Sequence, residues 1–318
     1  MNQSLEQIRS RIKGPVFSIV TPFKEDSEDI DYDALSAYID FAYKGGADKF
    51  FVMAYNSRYS QLSFDEIKAL NSFVIKEVKR IDANNLVIVA NPLHCATSLS
   101  LEFAQHAQEC GADLFSVICR EKYFSDEQIF QHYKMINDGS DIGILIHEMP
   151  FLNGRGGPAV NWPIDLLDRV ADLKNVIAIK EDAKDDEYSR AVINKIKDRL
   201  GIIISGGGKT QWLQFADDGC QAWLNGVGVY EPKIAVNFWK KYQEKNTDYL
   251  KGFVEEIEAP FFAKGVKKFG WHLFIKAALE SRGLMSRQER LPMLALSDSD
   301  AAEVAALMKS LPIEKYCL

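Results

Sequence analysis

A closed parallel (β/α)8 barrel followed by additional helices is the fold this sequence predicts, and three observations predict it. A short apolar strand followed by a helix with 3.6-residue spacing recurs eight times, at intervals of roughly 25–40 residues. No break in composition marks a second domain within the 318 residues. The strands read as continuous apolar runs, and parallel strands need both faces covered, which favours closure into a TIM barrel over an open sheet.

Each couplet is justified in turn. The strand at 15–23 precedes a helix over 31–43 that stops at Gly45-Gly46, a helix-end signal. The strand at 49–54 precedes a helix opened by Ser63-Phe-Asp-Glu66, a capping box. Strands at 86–92, 113–120 and 142–149 precede helices at 98–110, 126–136 and 163–173. The sixth strand, at 175–182, precedes a helix at 186–200. Strands at 202–208 and 222–229 precede helices at 211–217 and 232–245. The barrel is assigned to residues 1–245, and residues 246–318 to a helical extension packed on it, with helices at 249–262, 271–281 and 299–310.

Composition narrows the function. At 47% hydrophobic residues the chain buries a large core, and its formal charge of −7 argues against nucleic acid or an anionic membrane as partner. There is no run of about 18 apolar residues, and the first residues are polar and charged, so neither a spanning helix nor a signal peptide is expected. Five scattered cysteines without a CxxC pair fit reduced thiols in the cytoplasm. His94, His106 and His132 lack a second ligand at metal spacing, so no metal and no cofactor is expected.

The sixth strand carries the chemistry. Asn175-Val-Ile-Ala-Ile-Lys-Glu-Asp182 is a buried β-branched run that ends on a lysine. Alternation puts Lys180 on one face with Ala178 and Asp182, and Ile177 and Ile179 on the other. Desolvation disfavours a charged amine, and a neutral amine attacks carbonyls to form imines. Catalytic groups of such barrels sit at the C-terminal ends of strands, where Lys180 stands.

Further motifs surround that end. Gly208-Lys209-Thr210 looks like part of a phosphate loop, but Ile203 stands where the motif needs its first glycine. Ser205, Gly206 and Gly207 instead form a turn that admits close approach of a ligand to backbone N–H groups, and Asn225 closes the wall beside it. Strand alternation turns His147 and Glu148 to opposite faces, so one of them faces the site, as an acid–base group or a hydroxyl ligand. Trp271-His272 and Phe261-Phe262 have the spacing of core or subunit-interface aromatics rather than of a ligand site.

The chain resembles the dihydrodipicolinate synthase and N-acetylneuraminate lyase family of class I aldolases, from about Gly14 to Leu311. The resemblance is carried by Val20-Thr-Pro-Phe23, Gly46-Ala-Asp48, Leu62-Ser-Phe-Asp-Glu66, Val176–Asp182, Arg290-Leu-Pro-Met293 and Leu296-Ser297. It implies a barrel with C-terminal helices, usually a homotetramer, and a Schiff base between Lys180 and pyruvate or a related 2-oxo acid. Where the family reads Gly-Thr-Thr-Gly-Glu after strand two, this chain has Ala54-Tyr-Asn-Ser-Arg58, which carries Tyr55, Asn56 and Ser57 over as substrate-binding residues, with Arg58 adding charge. The proton-relay tyrosine of the family's Pro-Tyr-Tyr segment is met by Tyr123 after a two-residue shift, with Glu121 as the alternative. Strand five ends His147-Glu148-Met149-Pro150 in place of Tyr-Asn-Val-Pro, and the longer loop after it offers Arg155 for a substrate carboxylate.

The expectation is a Schiff-base lyase or aldolase acting through Lys180 on pyruvate or a sugar-derived 2-keto-3-deoxy acid, with Tyr123 and Glu148 as further catalytic groups. The same imine serves a dehydratase or deaminase. The rival of another class is a non-catalytic barrel that binds a 2-oxo acid. Partners are then a small 2-oxo acid and other copies of the chain, as dimer or tetramer.

Overall fold

The structure is a computed structural model that describes residues 3–119, 125–149, 160–205 and 208–317. Eight parallel strands close into a barrel in chain order: β1 (Gly14–Ser18), β2 (Lys49–Val52), β3 (Leu86–Ala90), β4 (Leu114–Ile118), β5 (Gly143–His147), β6 (Val176–Glu181), β7 (Gly201–Ile204) and β8 (Ala222–Leu224). Closure is made by β1 against β8, with Gly14 opposite Ala222 and Val16 opposite Leu224.

Short strands suffice because each is buried along nearly its whole length, and alternate residues split into two layers. Val16, Phe51, Ile88, Leu145, Ala178 and Ile203 fill the barrel interior. Phe17, Phe50, Val89, Ile144, Ile179 and Ile204 face the surrounding helices. Ile177 departs from the alternation predicted for it. The β5–β6 register passes from Ile144↔Val176 to Leu145↔Ala178, which skips Ile177, and its side chain packs with the interior set.

Helix α1 (Leu5–Ser10) lies in what the sequence presents as a polar extension. Two apolar residues there are enough to close the floor of the barrel, since Ile8 and Ile12 join the interior cluster. The outer helices α2 (Tyr32–Lys44), α3 (Phe64–Ile81), α4 (Thr97–Cys110), α5 (Asp126–Gly139), α6 (Ile164–Ala171), α7 (Asp186–Ile196), α8 (Gly208–Phe215) and α9 (Pro232–Gln243) follow the strands. Their ends are locally encoded. The expected box is present at α3, where Glu66 N–H donates to Ser63 Oγ at 3.2 Å and Ser63 N–H to Glu66 Oε2 at 2.8 Å. Gly46, just after α2, has φ +95° and Val236 3.1 Å from where a Cβ would stand, so both backbone and space require glycine there.

Strand β8 is shorter than its apolar run, because Asn225 N–H still pairs with Val16 but the chain then turns into a 3-10 segment at Val227–Val229. After α9 come α10 (Thr247–Phe253), π-helical turns at Val254–Glu258 and Phe261–Val266, α11 (Lys267–Phe269), α12 (Trp271–Ser281) and α13 (Asp298–Ser310). The wide turns let Glu258 and Phe262 reach the barrel mouth from one helical rod. No helix among the described residues is long and apolar enough to cross a membrane.

Candidate active site

At the C-terminal ends of β2, β6, β7 and β8 the mouth of the barrel holds a cavity of about 230 Å³. Lys180 lines it from β6 with no exposure to bulk solvent, on the inner face that it shares with Ala178. The amine is not bare. It forms an ion pair with Asp182, two residues on and on the same face. His147 stands opposite Lys180 in the β5–β6 register, and its Nε2 is 3.5 Å from Asp182 Oδ2, the same carboxylate oxygen that pairs with the amine. All three side chains are buried.

Burial pushes the Asp182 carboxyl up, but the Lys180 ammonium and the His147 imidazole outweigh it and hold the group at about 2. The expectation of a lysine whose amine is merely desolvated is therefore corrected: a fixed anion accompanies it. Asp182 is a site residue that the sequence placed on the right face but did not single out, because the i, i+2 spacing alone does not show that the carboxylate curls back to the amine.

The choice between His147 and Glu148 is decided by the alternation of β5. Ile144 and Ile146 belong to the helix-facing layer and Leu145 to the interior, so His147 points inward and Glu148 outward. Glu148 accepts a hydrogen bond from Trp162 N–H at 2.9 Å, behind the sheet. The expected catalytic role of Glu148 is corrected accordingly: its carboxyl does not line the cavity. Burial pushes it up to about 8. Its neighbour Glu181, which accepts from Ala183 N–H at 2.8 Å and Ser189 Oγ at 2.9 Å, is pushed up by burial to about 7.

Of the three residues expected from the loop after β2, two reach the cavity wall. Tyr55 and Asn56 line the cavity. Asn56 Oδ1 accepts from Trp271 Nε1 at 3.1 Å, which orients the amide. Ser57 is correctly placed in the chain but turned away: its hydroxyl donates to Ile19 O at 2.7 Å, and its carbonyl accepts from Thr21 at 2.7 Å, tying the loop to the end of β1. Arg58, at φ +62°, is also turned away and pairs with buried Glu289 at 2.8 Å. Without the family's glycines the loop takes its left-handed turn at an arginine that is anchored by that ion pair.

On the other side Ser205 and Asn225 line the cavity as expected. Asn225 is 1% exposed, and neither its Oδ1 nor its Nδ2 has a hydrogen-bond partner among the described residues. Tyr123, Glu121, Arg155, Gly206 and Gly207 lie outside the described residues. Lys209 of the discarded phosphate-loop motif is buried in the cavity wall, where its Nζ meets Glu258 Oε1 at 3.2 Å.

The outer helices contribute more than composition implied. Phe262 and Trp271 line the cavity, so for these two the core-or-interface expectation is corrected, whereas Phe261 is indeed core. Aromatic spacing cannot distinguish the two because a cavity wall and a core want the same side chains. Among the described residues no three His, Cys, Asp or Glu side chains converge as a metal site.

Comparison with known proteins agrees with this architecture. The model of the dihydrodipicolinate synthetase family matches residues 11–311. A 4-hydroxy-tetrahydrodipicolinate synthase of Phocaeicola vulgatus is 30% identical over 322 aligned positions, covering 96% of this chain and 99% of that one. The synthase of the same name from Pelagibacter ubique is 24% identical, covering 90% and 94%. Among solved structures, a prophage protein of the dihydrodipicolinic acid synthase family from E. coli K12, in complex with pyruvate, superposes with a TM-score of 0.81 at 22% identity, covering 93% and 97%. An N-acetylneuraminate lyase from Mycoplasma synoviae superposes with a TM-score of 0.81 at 18% identity, covering 94% and 98%. With a family match spanning the whole barrel and a lysine buried at the end of its sixth strand, the chain belongs to the dihydrodipicolinate synthetase family, whose members are lyases of the Schiff-base aldolase class.

Proposed function

We propose that this protein forms a Schiff base between Lys180 and a 2-oxo acid, pyruvate or a sugar-derived 2-keto-3-deoxy acid, and makes or breaks a carbon–carbon bond next to that imine. The observation that carries the reading is a lysine with no solvent exposure whose side chain lines the cavity at the barrel mouth. The iminium withdraws electrons from the neighbouring carbon, so the carbanion formed by cleavage, or needed for condensation, is stabilised as an enamine. Asn56, Tyr55, Ser205 and Asn225 are assigned to the substrate. Pyruvate bound in the related prophage protein supports the substrate class.

A 230 Å³ cavity with Met53, Met149, Trp223 and Phe262 in its wall, beside the polar Asn56, Ser205 and Asn225, suits a short carbon chain that carries polar groups. Within the same reading fall a cytoplasmic setting, in keeping with five free cysteines, and assembly into dimers or tetramers, which would cover the exposed Leu291 and Leu294.

The test is reductive trapping. Incubation with pyruvate and borohydride should add one covalent mass, mapped by peptide digestion to Lys180. Absence of an adduct across a panel of 2-oxo acids would favour a barrel that only binds them. Pyruvate release followed by a coupled dehydrogenase separates cleavage from dehydration, which keeps the carbon skeleton whole.

A further inference from the structure

We infer that Asp182 is the permanent counter-ion of the Lys180 nitrogen through imine formation, and that His147 carries the protons this nitrogen must lose. The inference rests on the Schiff-base reading and assigns two residues to it.

The argument begins with charge conservation. Starting from the ion-paired amine, the overall step is ammonium plus carbonyl giving iminium plus water. The C2–N bond forms, the C2–O bond breaks, and two protons leave nitrogen to end on the departing oxygen. Nitrogen is positive before and after. An anion fixed beside it therefore stabilises both ends of the step, and it stabilises the iminium that acts as electron sink. Asp182 meets that requirement: it is ion-paired to Lys180, buried, and held rigidly two residues along the same strand face.

The same anion cannot carry the protons. A carboxyl that stays ionised down to about pH 2 is a poor base near neutrality. A second group must take a proton from nitrogen, so that the amine is free to attack, and return it to the carbinolamine oxygen, so that water leaves. An imidazole can do both near neutral pH. His147 is buried, faces the barrel interior across from Lys180, and contacts the shared Asp182 oxygen at 3.5 Å. Other charged groups around the centre are Glu148 and Glu181 behind the sheet, and Lys184 with the Lys209–Glu258 pair in the cavity wall. His147 is singled out because it meets the same Asp182 oxygen that pairs with the amine.

The experiment uses the intact protein with pyruvate and cyanoborohydride, which reduces only protonated imines. Wild type is run first, and its Lys180 adduct tests the underlying reading alone. With that adduct in hand, Asp182→Asn should lower the trapping rate at pH 7 at least about tenfold and move its pH profile toward acid, because the unpaired imine holds its proton less firmly. His147→Gln keeps the ion pair and should slow adduct formation by about 10²-fold while the final yield stays at the wild-type level. Wild-type rate and pH profile in a folded Asp182→Asn protein, or an unchanged rate in His147→Gln, would overturn the inference and leave the Schiff base standing. If circular dichroism shows that Asp182→Asn does not fold, the rate of His147→Gln decides.

Discussion

Strands β5 and β6 bury charged groups on both faces, and the two faces treat a carboxyl in opposite ways. On the inner face Asp182 sits against an ammonium and is held at about 2. On the outer face Glu148 and Glu181 have backbone and hydroxyl partners and no ion pair among the described residues, and burial pushes them up to about 8 and 7. Burial acts alike on all three; the presence of a cation decides whether it wins. Charge on the inner face is therefore available for chemistry at neutral pH, whereas the outer carboxyls hold their protons well above the usual carboxylate range.

The contrast breaks most completely at Lys180. Lys180→Ala removes the nucleophile and should lower turnover by on the order of 10⁴-fold or more, with no trapped adduct. It also strands Asp182 as a buried unpaired anion, at a cost of about 3–5 kcal/mol that chemical denaturation would register. Appreciable turnover in this variant would remove the imine from the mechanism.

A smaller effect is expected across the cavity. Asn225 is buried with neither amide atom partnered among the described residues, while Glu181 on the outer face accepts two hydrogen bonds. Asn225→Ala should therefore raise KM about tenfold, the worth of one or two hydrogen bonds to a ligand, and leave the melting temperature close to wild type. A lowered melting temperature with unchanged KM would make Asn225 structural instead.

Changes on the outer face should be smallest in activity and legible in stability. Glu148→Gln keeps the Trp162 bond and should change turnover by less than about threefold. The unfolded chain releases this proton near 4.5 and the folded one near 8, so folding takes up a proton between those values and stability falls as pH rises across them. The variant should flatten that fall by a few °C on the order expected for a chain this size. Asp182 has the reverse sign, contributing stability above its ordinary 3.8 that is lost as pH drops toward about 2. A wild-type melting temperature that rises from pH 5 to pH 8, with Glu148→Gln following it, would contradict the outer-face assignment.

The order of eight couplets could be read in the chain because the strands are short apolar runs and several helices carry their own end signals, as at Ser63–Glu66 and Gly45–Gly46. Periodicity likewise located Lys180 at the mouth and turned His147 and Glu148 to opposite faces. It could not say which face was inside, since both layers of a buried strand are apolar and the answer depends on the register with β4 and β6. The polar start of the chain hid α1, because two isoleucines become a barrel floor only once a barrel exists above them.

Local patterns, being short-range, settled the scaffold and the position of one amine. What that amine touches was settled by contacts made across strands and between distant parts of the chain: His147 of β5 beside Asp182 of β6, Trp271 on Asn56, Glu289 drawing Arg58 out of the pocket. Such contacts depend on where whole elements come to rest against one another, and no window of neighbouring residues contains that distance.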